Sequence, residues 1–293
     1  MATIARNLSF KYSKHGESKL ININFAFATE NEFIAIVGET GAGKTTLLKH
    51  LNALLKPTSG EIVFDNFKIK AKRPVFRSLN FLRQKNALLF QFPEHQLFAE
   101  TVLKDVCFGP KNFKETKKNA EKLAKDALVL TGLPENFWQI SPFKLSGGEM
   151  RKAALAGVFA LNPKVLLLDE PTRGLDLESA HKSLNLFKDW QKQTKGTVIL
   201  ITHDLEIAYK YATRVVYLNK GQIVADLPKL DFFDLKNNLP KPKIFKLLSI
   251  VNHKFNTNFT FKLKDDHTAL FEKEVLKWTA IRCLVNIKIT VLF

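Results

Sequence analysis

The stretch GETGAGKTTL, from Gly38 to Leu47, follows a short run of apolar residues and leads into residues that favour a helix. With Gly43, Lys44 and Thr45 it fits the pattern G-x-x-x-x-G-K-[ST] at every defined position. Glycines in such a loop allow successive backbone N–H groups to curl around a chain of phosphates, because no Cβ atom obstructs them. The stretch therefore predicts a phosphate-binding loop between a buried strand and a helix.

The residue types in this loop match the chemistry of a nucleotide. The N-terminus of the following helix adds a partial positive charge. The amine of Lys44 can reach the β- and γ-phosphates, and the hydroxyl of Thr45 is a ligand for Mg²⁺. The candidate nucleotide-binding residues of the loop are Gly38, Glu39, Thr40, Gly41, Ala42, Gly43, Lys44, Thr45 and Thr46.

A second part of the same site is expected where the segment KVLLLDE ends in Asp169 and Glu170. Asp169 would hold Mg²⁺ through water, and Glu170 would face the γ-phosphate, where a carboxylate can orient or deprotonate an attacking water. Two acids after an apolar run are a common strand end. Together with the phosphate-binding loop, they indicate the carboxylates of a nucleotide-hydrolysing site.

Segments of strand and helix character alternate along the chain, which predicts an α/β fold with a mostly parallel core sheet. Antiparallel strands are expected in IARNLSFKY, ININFAFA and SGEIVFDNFKI, core strands in EFIAIVG, KVLLLDE and GTVILITHD, and a last strand pair in RVVYLNKGQIVA. A helical region is expected between residues 102 and 159, with turns at Gly109-Pro110 and from Gly132 onward.

The composition limits where the protein can act. A chain of 293 residues with 45% hydrophobic content can bury a large core. No apolar window has membrane-spanning length, and the N-terminal segment lacks the layout of a signal peptide, so we expect neither feature. Cys107 and Cys283 fit no metal-binding spacing and are expected to be free, buried thiols. The histidines other than His203 share no spacing and are expected on the surface.

The net charge of +17 raises the question of an anionic partner. One segment, from Asn66 to Lys85, contains seven basic residues and no acidic residue. These residues are Lys68, Lys70, Lys72, Arg73, Arg77, Arg83 and Lys85. A solvated face, lipid headgroups and nucleic acid all remain open for this segment.

The segment LSGGEMRKAALAGVFALNPKVLLLDEPTRGLD resembles the ATP-binding cassette (ABC) family. LSGGE is similar to the family signature, GLD at Gly174–Asp176 to its D-loop, and ITHD places His203 where the family has its switch histidine. Gln91 stands at the position of the Q-loop, and Tyr12 at that of the aromatic residue that stacks on adenine. These motifs follow the family's order over roughly residues 3–225.

The resemblance implies a P-loop ABC ATPase cassette with a mostly parallel core sheet, an N-terminal antiparallel β subdomain and a helical subdomain at about residues 92–160. It also implies that ATP is the bound nucleotide. Glu170, His203 and Gln91 would be the catalytic residues, and Thr45, Gln91 and Asp169 would hold Mg²⁺. In the family, two cassettes pair head to tail, so that the signature of one faces the ATP of the other.

The head-to-tail arrangement gives the signature a physical meaning. Ser146, Gly147 and Gly148 are expected to begin a helix, where their N–H groups would form an anion site. A single ATP cannot use both this site and the P-loop if the two lie on opposite sides of the fold. ATP would therefore favour the closed pair, and hydrolysis would release it. Glu149, in place of the usual glutamine, and Arg173, in place of a common alanine, are departures from the family pattern.

The segment FQFPEHQLFAETVLKDVCFGPKN is similar to the ATPase subunits of energy-coupling-factor (ECF) transporters, and more to the second ATPase type. Phe92, Leu97 and Phe98 would be exposed there, in a groove for a helix of a membrane subunit, with ordinary packing as the alternative. The sequence has one P-loop, whereas tandem-cassette translation factors need two on one chain. It also shows no sustained heptads, which disfavours the ABC ATPases that insert a long coiled coil.

The ECF resemblance implies an importer of vitamins or metal ions. Its partners would be a second ABC ATPase chain, with a heterodimer favoured, an integral membrane scaffold subunit and a membrane substrate-binding subunit, and no nucleic acid. The chain would lie peripherally on the cytoplasmic side of the cell membrane. A soluble DNA-associated ABC ATPase is the alternative, which the basic charge allows.

The expected domains are the cassette at residues 1–227, a linker at 228–243 that contains three prolines, and a small C-terminal domain at 244–293. In the ECF transporters that the chain resembles, a small C-terminal domain helps to dimerise the ATPases, although no motif of residues 244–293 matches that domain. Every odd position of residues 281–293 is apolar, and the even positions include Arg282, Asn286, Lys288 and Thr290, which predicts a β-strand on or near a dimer contact. A helix is the competing interpretation for this segment.

Overall fold

The computed structural model describes residues 2–64, 67–71, 76–113, 115–234, 237–243 and 245, without the side chains of residues 76–78. The chain divides into two compact units, Met1–Pro242 and Lys243–Phe293. All elements given below belong to the first unit. The strand predicted at residues 281–293 lies outside the described residues, as do Cys283 and part of the basic segment between Asn66 and Lys85.

In the part of the chain that the structure describes, ten strands form two sheets. They are β1 (Ala2–Lys11), β2 (Ser18–Ala28), β3 (Phe33–Val37), β4 (Ser59–Phe64), β5 (Phe67–Lys70), β6 (Asn86–Leu89), β7 (Val165–Asp169), β8 (Thr197–Ile201), β9 (Arg214–Asn219) and β10 (Gln222–Pro228). An antiparallel sheet has the order β2-β1-β4-β5, and a larger sheet has the order β10-β9-β3-β8-β7-β6. In the larger sheet β6, β7, β8, β3 and β9 are parallel, and only β10 is antiparallel.

The helices are α1 (Lys44–Leu51), α2 (Phe76–Lys85), α3 (Val102–Asn112), α4 (Lys117–Leu130), α5 (Gly147–Phe159), α6 (Leu177–Thr194), α7 (Leu205–Tyr211) and α8 (Lys229–Phe232). Short 3₁₀ turns occur at Pro93–Gln96, Glu135–Phe137 and Pro142–Lys144. Helices α3, α4 and α5 pack on one another. These elements confirm the predicted α/β fold, with its antiparallel N-terminal sheet and its mostly parallel core sheet.

The core strands β3, β7 and β8 are buried along their whole length. Their near-continuous apolar sequences are therefore those of parallel strands covered on both faces. Ligands of such sheets bind beyond the carboxyl ends of the strands. The phosphate-binding loop follows β3, Glu170 follows β7, His203 comes shortly after β8, and Gln91 shortly after β6. The topology thus gathers four separate sequence motifs at one edge of the sheet.

The turn predicted at Gly109-Pro110 is wrong, because α3 continues through both residues to Asn112. Proline there lies near the C-terminal end of the helix, where the missing N–H removes only one backbone hydrogen bond. Gly109 has a packing reason instead. A Cβ atom on it would stand 2.6 Å from Cδ2 of Leu161, so the absence of a side chain permits close contact between α3 and the residues after α5.

The expectation that His50 lies on the surface is also wrong, because His50 is fully buried in α1. Its Nδ1 lies 2.7 Å from the carbonyl oxygen of Thr46, and its ring packs edge-on against Phe10. Burial lowers the pKa of the imidazole. The helical spacing from Leu47 places His50 on the apolar face of α1, and this signal outweighs its polarity. Cys107 is buried and free, as predicted.

The segment after β10 begins with α8, in which Phe232 is buried, and α8 packs on β9 and β10. The predicted linker of residues 228–243 thus starts with a short helix. Within the described residues, the structure contains no helix whose length and apolar character would let it cross a membrane.

Candidate functional site

The phosphate-binding loop connects β3 directly to α1, with Gly43 as the N-cap of the helix. Gly43 has φ of 104°, a left-handed conformation that favours glycine. A Cβ atom on Gly43 would stand 2.6 Å from the carbonyl oxygen of Lys19, and one on Gly38 would stand 2.1 Å from that of Leu218. Glycine is therefore required at both ends of the loop by close backbone contacts. The first turn of α1 follows at once, and the N–H groups of a first helical turn, which have no partner within the helix, are a common binding site for anions.

The side chain of Lys44 folds back over this loop. Its Nζ donates hydrogen bonds to the carbonyl oxygens of Gly38 and Glu39, at 2.7 and 2.8 Å. Burial lowers the pKa of the ammonium group, while the nearby Glu170 and Asp169 oppose that shift. An ammonium has three donors. Two of these donors position the group on the loop.

The candidate magnesium ligands lie together at the end of β7. The Thr45 hydroxyl donates to Oδ1 of Asp169 at 3.0 Å, and Asp169 is buried. Burial raises the pKa of this carboxyl, and the hydrogen bond from Thr45 opposes the shift. One hydroxyl and one carboxylate fit Mg²⁺, which takes its remaining oxygens from phosphates and water. No group of three or more His, Cys, Asp or Glu side chains suited to a metal exists among the described residues.

Glu170 is the centre of a cluster of polar side chains. Its Oε2 accepts a hydrogen bond from Nε2 of Gln91 at 3.1 Å and one from Nη1 of Arg173 at 3.3 Å. Nδ1 of His203 lies 3.6 Å from Oε1. Three residues from separate segments thus surround this carboxylate, and Glu170 itself has a left-handed backbone with φ of 46°. Non-glycine residues in this conformation are strained and occur preferentially at functional sites.

Tyr12 lies beside α1. Its hydroxyl is 3.2 Å from that of Thr46, and its ring packs edge-on against Phe10. The Tyr12 side chain is nevertheless more than half exposed. The structure therefore places an accessible aromatic ring next to α1.

The signature residues form the N-terminus of α5. Ser146 is its N-cap, and Ser146 and Glu149 form a capping box in which the Glu149 carboxylate accepts from the backbone N–H and the hydroxyl of Ser146 at 2.8 and 2.7 Å. The pattern S-x-x-E is the sequence signal for this motif, and glutamine and glutamate both satisfy it. Glu149 is therefore compatible with the helix start. Ser146, Gly147 and Gly148 are exposed, and no hydrogen bond between described residues joins them to the phosphate-binding loop.

Residues 20–173 match the family described as ABC transporter, which is more than half of the chain. The chain belongs to the ABC transporter family. An energy-coupling factor transporter ATP-binding protein, EcfA2 of Ligilactobacillus salivarius, is 43% identical over 270 residues, which cover 86% of this chain and 92% of the relative. The ABC chain described here is thus a member of the energy-coupling factor ATP-binding proteins.

Many solved structures match this ABC chain, and two of them illustrate the shared fold. One is cbiO1 from Clostridium perfringens, described as part of the ABC transporter complex cbiONQ, with a TM-score of 0.70, 34% identity, and coverage of 84% of this chain and 98% of that chain. The other is the ATP-binding cassette MJ0796, a dimer in a post-hydrolysis state bound to ADP and Pi, with a TM-score of 0.67, 30% identity, and coverage of 78% and 99%. The DNA-associated alternative receives no support, because the relatives are transporter ATP-binding proteins.

Sequence reasoning missed a buried cation in the signature helix of this ABC cassette. Arg151 is only 8% exposed, and its guanidinium donates to the carbonyl oxygens of Pro171 and Arg173, the latter at 3.3 Å. Burial lowers the pKa of this guanidinium. Arg151 therefore fixes the segment after Glu170 to α5. No pattern in the sequence indicated this contact, since a single arginine on a helix is ordinarily a surface residue.

The loop after Gln91 is only partly exposed in this ABC cassette. Phe92 and Phe98 are 44% and 58% exposed, as expected, but Leu97 is buried at 6%, so the expectation for Leu97 is wrong. The 3₁₀ turn at Pro93–Gln96 redirects the chain, and the Asp105 carboxylate accepts from the N–H groups of Phe98 and Ala99 at 2.8 and 2.7 Å. Leu97 turns inward and anchors the loop, which keeps the two phenylalanines at the surface.

Proposed function

We propose that this chain is the ATP-hydrolysing subunit of an ECF-type ABC importer that drives the uptake of vitamins or metal ions. It would lie peripherally on the cytoplasmic side of the cell membrane. Its partners would be a second ABC ATPase chain, with a heterodimer favoured, an integral membrane scaffold subunit and a membrane substrate-binding subunit. The observation that carries the proposal is the cluster of Gln91, Glu170 and His203 at the edge of the sheet that also carries Lys44.

In the proposed site, different residues bind the phosphates, the adenine and the Mg²⁺ of ATP. The phosphates are held by residues of the loop, namely Gly38, Glu39, Thr40, Gly41, Ala42, Gly43, Lys44, Thr45 and Thr46. Tyr12 stacks on adenine, and this stacking contributes about 1–3 kcal/mol to binding by analogy with other base–aromatic stacking. Mg²⁺, when bound, neutralises charge on the β- and γ-phosphates. Thr45, Asp169 and Gln91 are the residues that would hold it.

Glu170 is the proposed base. It would take a proton from the attacking water as the water oxygen bonds to the γ-phosphorus and the bond to ADP breaks. His203 would contact the γ-phosphate side, close to Oε1 of Glu170. Gln91 would orient the carboxylate through the hydrogen bond to Oε2. The products are ADP, inorganic phosphate and a proton.

Purification of the tagged full-length chain, extracted in detergent from the membranes of its native cells, tests this proposal. We expect a second ABC ATPase chain and integral membrane proteins to co-purify with it. Recovery of the chain without membrane proteins, together with ATPase activity that DNA stimulates, would overturn the transporter assignment in favour of a DNA-associated ATPase.

Phe92 and Phe98 are the proposed contact with a helix of a membrane subunit. Replacing both with alanine should weaken assembly of the complex or transport and should leave ATP binding intact, because both side chains are exposed and neither lies in the phosphate-binding loop. Assembly is measured by co-purification, and ATP binding by thermal shift. Leu230→Ala removes a leucine that is 72% exposed on α8 and serves as the control. A variant at Phe92 and Phe98 that assembles and transports normally would contradict the assignment.

Ser146 is proposed to serve the ATP held by the partner's P-loop. Ser146→Arg should leave ATP binding by this chain intact and should block hydrolysis at the partner's site, because a bulky cation obstructs the close approach of the signature. Thr116→Arg is a matched control, since Thr116 is the exposed N-cap of α4 and the substitution removes a comparable cap, worth about 1 kcal/mol.

Mixed dimers separate the two sites of a heterodimer. With Ser146→Arg and Lys44→Ala both on this chain, both sites should fail. With Ser146→Arg on this chain and the P-loop lysine of the partner replaced, one site is damaged twice, and the site on Lys44 should still hydrolyse ATP. Loss of hydrolysis at the Lys44 site in the second arrangement would mean that the signature acts within its own chain, and the head-to-tail arrangement would have to be abandoned.

A further inference from the structure

Arg173 is the charged residue that follows Glu170 by three positions, just before the D-loop. Its Nη1 lies 3.3 Å from Oε2 of Glu170. The arginine side chain is 56% exposed, whereas that of Glu170 is only 18% exposed. Because the guanidinium is largely exposed to solvent, which screens its charge, this ion pair contributes little to stability. Stability of the fold therefore does not explain the contact between Arg173 and Glu170.

The hydrogen bonds of Glu170 are divided unequally between its two oxygens. Oε2 receives both the Gln91 amide and the Arg173 guanidinium. Oε1 accepts no hydrogen bond from the residues that the structure describes, and Nδ1 of His203 stands 3.6 Å from it. Two donors on one oxygen restrict rotation of the carboxylate and leave the other oxygen available to accept a proton.

The backbone that carries Arg173 is fixed on both sides. The Arg173 N–H donates to the carbonyl oxygen of Glu170 at 3.1 Å, which closes a tight turn. From the signature helix, Arg151 donates to the carbonyl oxygens of Pro171 and Arg173. The guanidinium of Arg173 thus reaches back to Glu170 from a point with little freedom. Gln91, in contrast, lies on a separate segment after β6.

We propose that Arg173 is a positioning residue for hydrolysis, which holds Oε2 of Glu170 so that Oε1 is presented to the attacking water. This inference rests on the proposed role of Glu170 as the base. Arg173 does not itself touch the reacting atoms. The anchor that it supplies belongs to the turn after β7 and is therefore independent of the segment after β6 that carries Gln91.

Two other roles for Arg173 make different predictions. A guanidinium that only reduces repulsion between Glu170 and the phosphates would act on ATP binding, and its loss would raise KM. A guanidinium that only stabilises the turn would act whether or not Glu170 is a carboxylate. A positioning residue lowers kcat and depends on Glu170, because it acts through that side chain.

The test compares Arg173→Ala, Arg173→Lys, Glu170→Gln and the double variant Glu170→Gln/Arg173→Ala, each in the full-length chain within its detergent-solubilised complex. For Arg173→Ala we expect kcat to fall about three- to tenfold, with KM for ATP changed by less than about twofold. Arg173→Lys should restore part of kcat, since it keeps a cation without the planar fork. In single-turnover measurements the double variant should be no slower than Glu170→Gln, because interacting residues are not additive.

Lys182→Ala is the control, because Nζ of Lys182 lies 2.6 Å from Oε1 of Glu178 on the exposed face of α6. It removes an exposed ion pair of similar kind and should leave kcat unchanged. An Arg173→Ala variant with normal kcat, or with raised KM alone, would overturn the inference. The inference would also be overturned if Arg173→Ala slowed the Glu170→Gln variant by the same factor as it slows the unchanged chain. Glu170→Gln with normal turnover would instead overturn the role of Glu170, and with it this inference, so the two failures are distinguishable.

Discussion

Replacing Lys44 with alanine is expected to abolish ATP binding or reduce hydrolysis by on the order of 10²-fold or more, since the substitution removes a charge-assisted donor to the phosphates. In the structure, the Lys44 ammonium is held over the loop by the carbonyl oxygens of Gly38 and Glu39. Thermal shift with added ATP and steady-state turnover measure the two effects separately.

The control for this substitution is Lys56→Ala. Lys56 is exposed beyond the opposite end of α1, so its loss changes the net charge equally without touching the loop. A ligand whose free concentration is 100 times its Kd raises the free energy of unfolding of a protein by about 2.7 kcal/mol. The Lys56 variant should show this stabilisation with ATP, and the Lys44 variant should not. Unchanged turnover of Lys44→Ala at saturating ATP would contradict the P-loop assignment.

Replacing Glu170 with glutamine is expected to separate ATP binding from hydrolysis. The amide keeps the size of the side chain and can still accept hydrogen bonds from Gln91 and Arg173, but it cannot take a proton from water. Hydrolysis should fall by on the order of 10²-fold or more, while ATP still binds. The ATP-bound dimer should then accumulate, which size-exclusion chromatography in the presence of ATP and Mg²⁺ would detect.

Glu178→Gln removes a carboxylate in the first turn of α6, eight positions further along the chain, and is the control for charge alone. It should hydrolyse ATP at the normal rate. Normal hydrolysis by Glu170→Gln would mean that another group acts as the base and that the strain at Glu170 has a structural origin.

The positions of the main elements followed from patterns with a direct physical cause. The glycine spacing from Gly38 to Gly43 requires a backbone without side chains, and the buried runs that end at Val37 and Asp169 require a sheet covered on both faces. These constraints are local, so the sequence alone carries them. The roles proposed for individual site residues stay predictions until substitutions test them.

Other features depended on contacts between distant segments. Gly109 was mistaken for a turn because its packing against Leu161 involves a partner far along the chain. The surface expectation for His50 rests on the absence of a shared spacing among the histidines, and it is wrong because packing buries this side chain in α1. The contacts of Arg151 with Pro171 and Arg173 join two segments that no short pattern links. Tertiary packing decided each of these cases.

The buried Arg151 guanidinium has a consequence for cooperativity between ATP sites. Arg151 belongs to the helix whose first residues would face the partner's ATP, and it holds the backbone just after the carboxylate that would act on this chain's own ATP. In a head-to-tail pair, a shift of α5 at one site therefore displaces the segment after Glu170 at the other. Such a rigid link makes the affinity of each site depend on the occupancy of its neighbour.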